Sequence, residues 1–367
     1  MKEQLRREND ELRRSIRACK QRSEVIQTNV RVAIGNCSEF SDEYRQLRET
    51  FRNLFFDELL ANPNFLRHIQ SSPGRDDFLI EENKLRQKHQ HIIATRISDG
   101  EQCVVKIIRN KRTISDAQRI NSEIGILQRL GHPFLNRIYG CWIEPDHMCV
   151  VYKHAGRDLN CLMDDYPEGL PERLLHPILR SLVDILAYTH TRGVAHGDLN
   201  PQHILVDTNN GYRSITVKVS GFGSILDENL EIHPHLKSFG SPGFAGPEII
   251  NGGGWDFMKA DAWSLGCVLN AAMIGKRSYD QLWMRIFDNI HLVESEIDRI
   301  DFLDGLTTAQ RLCAVHWPDT LANVVEACLR IEPRDRPAVR NLFRFESGTW
   351  GVLEGSQRST FSSRSDV

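Results

Sequence analysis

The chain has 367 residues, a formal net charge of −3 and 40% hydrophobic residues, which is enough for a large packed core. This charge balance gives no reason to expect a nucleic-acid partner, and no run of about 18 apolar residues predicts a membrane span. The nine cysteines form no C-x-x-C pair, which favours reduced thiols and an intracellular location, cytoplasmic or nuclear.

Residues 2–30 are highly charged and favour a helix with a seven-residue repeat. An apolar seam and a weaker second seam follow this repeat: Leu5, Leu12, Cys19 and Ile26, then Asn9, Ile16, Ser23 and Val30. The pattern predicts a short coiled coil over residues 1–30 that joins two copies of the chain in a homodimer. A single amphipathic helix, packed on its own domain or solvated, is the alternative interpretation.

A second helical segment is predicted between Ser41 and about Gln70, where apolar residues recur near helical spacing. The run Asn62-Pro63-Asn64 interrupts this segment, and turn-forming residues from Ser71 to Arg75 end it. We therefore predict a helical extension and linker over residues 31–75.

From residue 77 onward, short apolar runs alternate with polar turns, which is typical of strands. The strands are predicted at residues 78–80, 91–97, 103–108, 137–142 and 148–152. Asp99-Gly100 predicts a hairpin between the second and third of them. One helix is predicted from Ser115 to Leu130, and a long helical half follows the last strand. Strands first and helices afterwards indicate an α+β fold with two segregated lobes.

The most specific motif is HGDLNPQHILV, from His196 to Val206, followed by Gly221-Phe222-Gly223. These segments resemble the catalytic loop, usually HRDLKPENILV, and the Asp-Phe-Gly motif of eukaryotic protein kinases. The run GSPGFAGPE, from Gly240 to Glu248, resembles GTPGYMAPE and is more similar to the serine/threonine type.

The resemblance implies a bilobal protein-kinase-like fold over residues 77–346. Its β-rich N-lobe is expected at residues 77–152 and its helical C-lobe at residues 156–346. Residues 354–367 are rich in serine and arginine and are predicted to form a disordered tail.

The resemblance also implies a nucleotide site between the lobes. Lys106 matches the strand lysine that contacts ATP phosphates, and Glu123 matches the helix glutamate that forms an ion pair with this lysine. Val104, Val151 and Leu205 are expected to line the nucleotide site, with Val151 at the gatekeeper position. Asp198 matches the catalytic base of the loop.

Several of the positions that match the family have structural roles there. His196 and Phe222 match a hydrophobic stack that couples the lobes, together with Leu127 and Ile138. Asp261 matches the aspartate that anchors the catalytic-loop backbone. Glu248 is expected to pair with Arg336 in a buried clasp.

Other positions depart from the family at the chemical centre. The Asp-Phe-Gly aspartate is replaced by Gly221, and the metal-binding asparagine is replaced by His203. The catalytic-loop arginine is replaced by Gly197 and the loop lysine by Asn200. The strand pair that would enclose a glycine-rich loop has no glycine between residues 74 and 100. ATP is the implied cofactor, whereas Mg²⁺ is expected to bind weakly or not at all and no metal-holding residues are assigned.

These departures predict a pseudokinase: a catalytically impaired scaffold or allosteric regulator whose partners are proteins, such as an active kinase or its substrates. Two alternatives stay open, a divergent serine/threonine kinase with little magnesium dependence and a nucleotide sensor without catalysis. His203 also has two interpretations, a local hydrogen bond or a repurposed divalent-metal site with Asp198.

Overall fold

The computed structural model describes residues 73–80, 91–109, 123, 125–127, 129–144, 147–208, 215–222, 241–248, 256–288, 295–344 and 350–352. The predicted coiled coil, nearly all of the helical extension and the predicted tail lie outside these residues. No helix among the described residues has the length and apolar character needed to cross a membrane.

The N-terminal half of the described chain forms an antiparallel five-stranded sheet with the strand order β1-β2-β3-β5-β4. Its strands are β1 (Phe78–Leu79), β2 (His91–Arg96), β3 (Gln102–Arg109), β4 (Ile138–Glu144) and β5 (His147–Lys153). They lie close to the predicted strands because the alternation of apolar and polar residues matches the two-residue period of a pleated strand. The predicted hairpin turn joins β2 to β3, and Gly100 in this turn has a φ of +74°.

One face of this sheet has its own hydrophobic core, in which Phe78 stacks on Trp142 with ring centroids 5.9 Å apart. Residues 123, 125–127 and 129 are helical and belong to the helix predicted between Ser115 and Leu130. Ile126 from this helix joins the larger core of the helical half.

The C-terminal half is mainly helical. Its helices are α1 (Leu159–Met163), α2 (Glu172–His190), α3 (Phe257–Ile274), α4 (Lys276–Leu282), α5 (Glu296–Ala314) and α6 (Asp319–Cys328). Helix α3 is the centre of the lobe, since every residue from Ala260 to Ile274 is buried. The Asp256 carboxylate caps its first turn, and Gly275 ends it with a φ of +78°. A side chain at Gly275 would lie 2.1 Å from the carbonyl oxygen of Pro167, so only glycine fits this ending.

A second, three-stranded sheet supports the catalytic loop. It consists of β6 (Arg157–Asp158), β7 (Ile204–Asp207) and β8 (Thr216–Val219), in that order. Between α2 and β7, the chain makes a single 3-10 turn, Pro201–His203, whose first amide is capped by Asn200. Strands β9 (Leu342–Arg344) and β10 (Trp350–Val352) form a separate antiparallel pair. Trp350 is buried there, and its indole nitrogen donates to Nδ1 of His176 at 3.0 Å.

Candidate functional site

The catalytic loop is anchored to helix α3 by the buried carboxylate of Asp261. Its Oδ2 accepts hydrogen bonds from the backbone nitrogen of His196 at 2.7 Å and from Nε2 of His190 at 2.8 Å. Its Oδ1 accepts from the backbone nitrogen of Gly197 at 2.9 Å. Burial alone would raise the pKa of Asp261, but the hydrogen bond from His190, the charge of that histidine and the hydrogen bond from the Gly197 backbone hold this pKa below its ordinary value. Asp261 therefore stays ionised and fixes the loop where Gly197 turns with a φ of +77°.

His196 connects this loop to the segment that carries Phe222. Its Nε2 donates to the carbonyl oxygen of Ser220 at 2.9 Å, and its Nδ1 accepts from the backbone nitrogen of Asp198 at 3.2 Å. The His196 and Phe222 rings are both fully buried, with centroids 4.6 Å apart. Burial lowers the pKa of His196, and the nearby His203 lowers it further, so the ring is neutral at pH 7.

Asp198, the candidate base, accepts a hydrogen bond from a serine hydroxyl. The Oγ of Ser241 donates to Oδ1 of Asp198 at 2.9 Å, and Nδ2 of Asn200 donates to the same oxygen at 3.2 Å. Nδ2 of Asn200 also lies 3.0 Å from Oγ of Ser241. The sequence placed Ser241 in the kinase-like GSPGFAGPE run but gave no sign of this contact. Asp198 thus holds a hydroxyl hydrogen, which is what a general base does at the start of proton transfer.

The imidazole ring of His203 lies over Gly221, in the space that a side chain at position 221 would need. A Cβ atom added at Gly221 would lie 2.6 Å from Cγ and Cδ2 of His203. Nδ1 of His203 donates to the backbone oxygen of Asp198 at 2.8 Å, and its distance from the Asp198 carboxylate is 3.8 Å. Gly221 also has a φ of +82°, a conformation that favours glycine. A carboxylate at position 221 and the His203 ring therefore exclude each other.

These residues do not fit a magnesium ion. The position of the metal-binding carboxylate is filled by a ring, and Nδ1 of His203 is already bonded to a carbonyl oxygen. Among the described residues, no three histidine, cysteine, aspartate or glutamate side chains lie close enough together to hold a metal ion by themselves. The hydrogen-bond interpretation of His203 matches these contacts, whereas the alternative of a metal site with Asp198 has no third ligand in this part of the chain.

The strand register shows which residues face Lys106. Lys106 lies opposite Val150, and Val104 lies opposite Tyr152. Directly opposed residues share a face of the sheet, so Tyr152 lies on the Lys106 face. Val151 lies opposite Val105, and both belong to the hydrophobic core on the other face. The prediction that Val151 lines the nucleotide site is therefore wrong, and the side chain at the gatekeeper position on the Lys106 face is Tyr152.

Glu123 also has a different partner from the predicted one. Its carboxylate accepts a hydrogen bond from the Tyr152 hydroxyl at 3.1 Å, and both side chains are buried. Between Lys106 and Glu123, both of which the structure describes, there is no ion pair. The predicted pair is therefore absent here, and the partner of the Glu123 carboxylate is the Tyr152 hydroxyl.

The remaining residues of the predicted nucleotide site lie on two sheets. On the Lys106 face, Ile93 lies opposite Val104 and His91 lies opposite Lys106. His91 belongs to the segment that corresponds to the glycine-rich loop of the family; burial lowers its pKa, and Lys106 lowers it further. On the second sheet, Leu205 is half-buried and alternates with Ile204 and Val206, which belong to the core of the C-lobe. Leu205 therefore faces away from that core.

The predicted clasp of the C-lobe is formed by two buried, charged side chains. Nη1 and Nη2 of Arg336 donate to the two carboxylate oxygens of Glu248 at 2.7 and 2.6 Å. The guanidinium also lies 4.9 Å from the ring centroid of Trp263 in α3. The clasp ties the segment that ends in Glu248 to the centre of the lobe.

Stability is expected to fall as the pH drops from 7 to 5. Burial lowers the pKa of His132 and His196 from an ordinary value of about 6.5. The neutral histidines therefore stabilise the folded chain fully above pH 6.5. This contribution to the free energy of unfolding is lost as the pH falls from 6.5 through the lower pKa values of the folded state. Each extra proton bound by the unfolded chain costs up to about 1.4 kcal/mol per pH unit. Urea unfolding at pH 7.5 and 5.5 measures this loss.

A matched pair of substitutions controls this measurement. His132→Gln should reduce the loss of stability between the two pH values, whereas His316→Gln, at an exposed position, should leave it unchanged. An equal free energy of unfolding at both pH values would contradict the expectation.

The comparisons with known proteins identify the family of the chain. A protein kinase domain model matches residues 90–346, well over half of the chain, so the chain belongs to the protein kinase domain family. The predicted family and the bilobal α+β kinase fold are thereby confirmed.

Individual relatives are serine/threonine kinases or related kinases. CBL-interacting protein kinase 4 of Oryza sativa subsp. japonica is 33% identical over 195 residues, or 51% of this chain and 42% of that protein. CBL-interacting serine/threonine-protein kinase 18 of Arabidopsis thaliana is 29% identical over 240 residues, or 64% of this chain and 45% of that protein. Maternal embryonic leucine zipper kinase of Xenopus tropicalis is 28% identical over 212 residues, or 56% of this chain and 30% of that protein. The chain spans less than half the length of each of these relatives.

Proposed function

We propose that this protein is a catalytically impaired serine/threonine-kinase-like protein that acts as a scaffold or allosteric regulator in intracellular signalling. Its partners would be other proteins, such as an active kinase or the substrates of one. The observation that carries the proposal is the His203 ring over Gly221, which fills the place of a magnesium-binding carboxylate. The intact anchors of the fold, Asp261 and the Glu248–Arg336 clasp, support a structural role for the domain.

The expected catalytic deficit is large. In phosphoryl transfer the protein mainly positions the reactants and stabilises charge, and most of that charge stabilisation comes from magnesium and cationic side chains. Removal of one such group costs about 10²–10³ in rate. Here Gly221 and His203 replace both metal-binding side chains, and Asn200 replaces the loop lysine. Asp198 could still accept a proton, but nothing in this set orients a γ-phosphate toward it.

A phosphotransfer assay tests the proposal. The full chain, incubated with γ-labelled ATP, Mg²⁺ and a mixture of serine- and threonine-containing peptides, should transfer no more label than the Asp198→Asn variant. Thermal melting should show that the variant is folded. Magnesium-dependent transfer that disappears in Asp198→Asn would overturn the proposal.

A divergent active kinase is the second candidate, favoured by the Ser241 hydroxyl that donates to Asp198 at 2.9 Å. It predicts autophosphorylation that survives a metal chelator and disappears in Lys106→Ala. A nucleotide sensor is the third candidate, favoured by Lys106, which has no carboxylate partner among the described residues. It predicts that ATP raises the melting temperature of the chain without Mg²⁺ and without label transfer.

We also propose an intracellular location for the protein. All cysteines in the described part of the chain are free thiols. This supports a reducing compartment, the cytoplasm or the nucleus.

A further inference from the structure

Tyr152 ends the row of residues that strand β5 contributes to the Lys106 face. Its hydroxyl donates to Oε1 of Glu123 at 3.1 Å. Both side chains are 7% exposed, so neither polar group can exchange this partner for bulk water. The bond therefore determines where the Glu123 carboxylate lies.

The Tyr152 hydroxyl is a neutral donor throughout the range in which proteins are studied. Burial raises its pKa well above the ordinary value, and the adjacent Glu123 raises it further. A neutral hydroxyl bonded to a buried carboxylate satisfies both groups at once. Breaking this bond would leave two buried polar groups in need of new partners.

Lys106 is the alternative partner on this face. It lies opposite Val150, and the neighbouring pair along the two strands is Val104 and Tyr152. Lys106 is half-buried and close enough to His91 to lower the pKa of that imidazole. Lys106 carries a positive charge, so a nearby carboxylate would be attracted to it if that carboxylate were released.

We propose that Tyr152 is the positioning residue that withholds Glu123 from Lys106. In this arrangement the Tyr152 hydroxyl holds the Glu123 carboxylate, and the Lys106 ammonium faces the cleft without a carboxylate partner among the described residues. Removing the Tyr152 hydroxyl should free Glu123 to pair with Lys106, with no change elsewhere in the strand register.

Acylation of lysine side chains, read by mass spectrometry of the full chain, tests this directly. Only the neutral amine reacts, so an ion pair that raises the lysine pKa slows acylation in proportion. Tyr152→Phe should slow the acylation of Lys106 about three- to tenfold. Adding Glu123→Gln to Tyr152→Phe should restore the original rate. Lys153, paired with Glu101 at 2.6 Å, is the internal control and should react equally in every variant.

If Tyr152→Phe does not fold, Glu123→Gln alone tests whether Glu123 is paired with Lys106. With Tyr152 holding Glu123, this substitution should leave the acylation rate of Lys106 unchanged. A severalfold faster reaction of Lys106 in Glu123→Gln would show that the two are already paired and would overturn the proposal. So would an unchanged rate at Lys106 in a folded Tyr152→Phe chain. None of these readouts depends on nucleotide or on phosphotransfer.

Discussion

Replacing Arg336 with alanine is expected to lower the free energy of unfolding by about 3–5 kcal/mol. The guanidinium is buried and bonds to the Glu248 carboxylate through both terminal nitrogens. It also donates to three backbone oxygens, those of Arg330, Ile331 and Lys259, at 2.7, 2.9 and 3.0 Å. The substitution would leave the Glu248 charge buried without its partner, and removing one member of such a pair costs more than the pair itself contributes.

Urea unfolding followed by tryptophan fluorescence measures this effect, with Arg330→Ala as the matched control. Arg330 makes an exposed ion pair with Glu326 at 3.2 Å, so its replacement should cost less than about 1 kcal/mol. Equal losses in the two variants would show that burial adds nothing to the Glu248–Arg336 clasp.

Gly221→Asp alone is expected to destabilise the chain and to gain no magnesium site. An L-residue at a φ of +82° costs about 1–2 kcal/mol, and the new side chain would collide with the His203 ring. Combining it with His203→Asn removes the ring and supplies both metal-binding side chains of the family. The double variant should therefore recover much of the stability and bind ATP about tenfold more tightly with Mg²⁺ than without it.

Thermal melting across ATP titrations, with Mg²⁺ or with a chelator, separates these variants. His203→Asn alone is the matched control, since it removes the ring without adding a carboxylate and should show no magnesium dependence. A magnesium-dependent increase in melting temperature for Gly221→Asp alone would mean that the ring does not exclude a carboxylate at position 221.

The framework of the site could be predicted from the sequence because it depends on local motifs with fixed spacing. Asp261 and Arg336 were matched to the family from the sequence, and the structure places both in buried hydrogen-bond networks. The strands were predictable for a similar reason, since the alternation of residues in β2 and β3 is a local property.

The face on which Tyr152 lies could not be predicted with the same reliability. Strand parity has a period of two, so an error of one residue moves a side chain to the opposite face. Val151 was matched to the gatekeeper position from the sequence alone, whereas the face on which each side chain lies is fixed by the pairing of β5 with β3. A signal existed nonetheless: Lys106 must face the cleft, and a register that pairs it with Val150 also places Tyr152 on that face.

The sequence also contained the substitutions at His203 and Gly221 without showing their relation. The His203 ring excludes a carboxylate at position 221 because of the φ of Gly221 and the orientation of the ring. Neither of these is encoded in a local sequence pattern. The contact of Ser241 with Asp198 joins residues 43 positions apart and likewise appears only in three dimensions.

The antiparallel pair of β9 and β10 determines how far the C-terminus of this chain can be truncated. The matched kinase domain ends at residue 346, yet β10 supplies Trp350, which is buried and bonded to His176. A version truncated at residue 346 would leave a cavity beside α2, which lowers stability, and an unpaired edge on β9, which promotes aggregation. Recombinant forms intended for the measurements above should therefore extend at least to Val352.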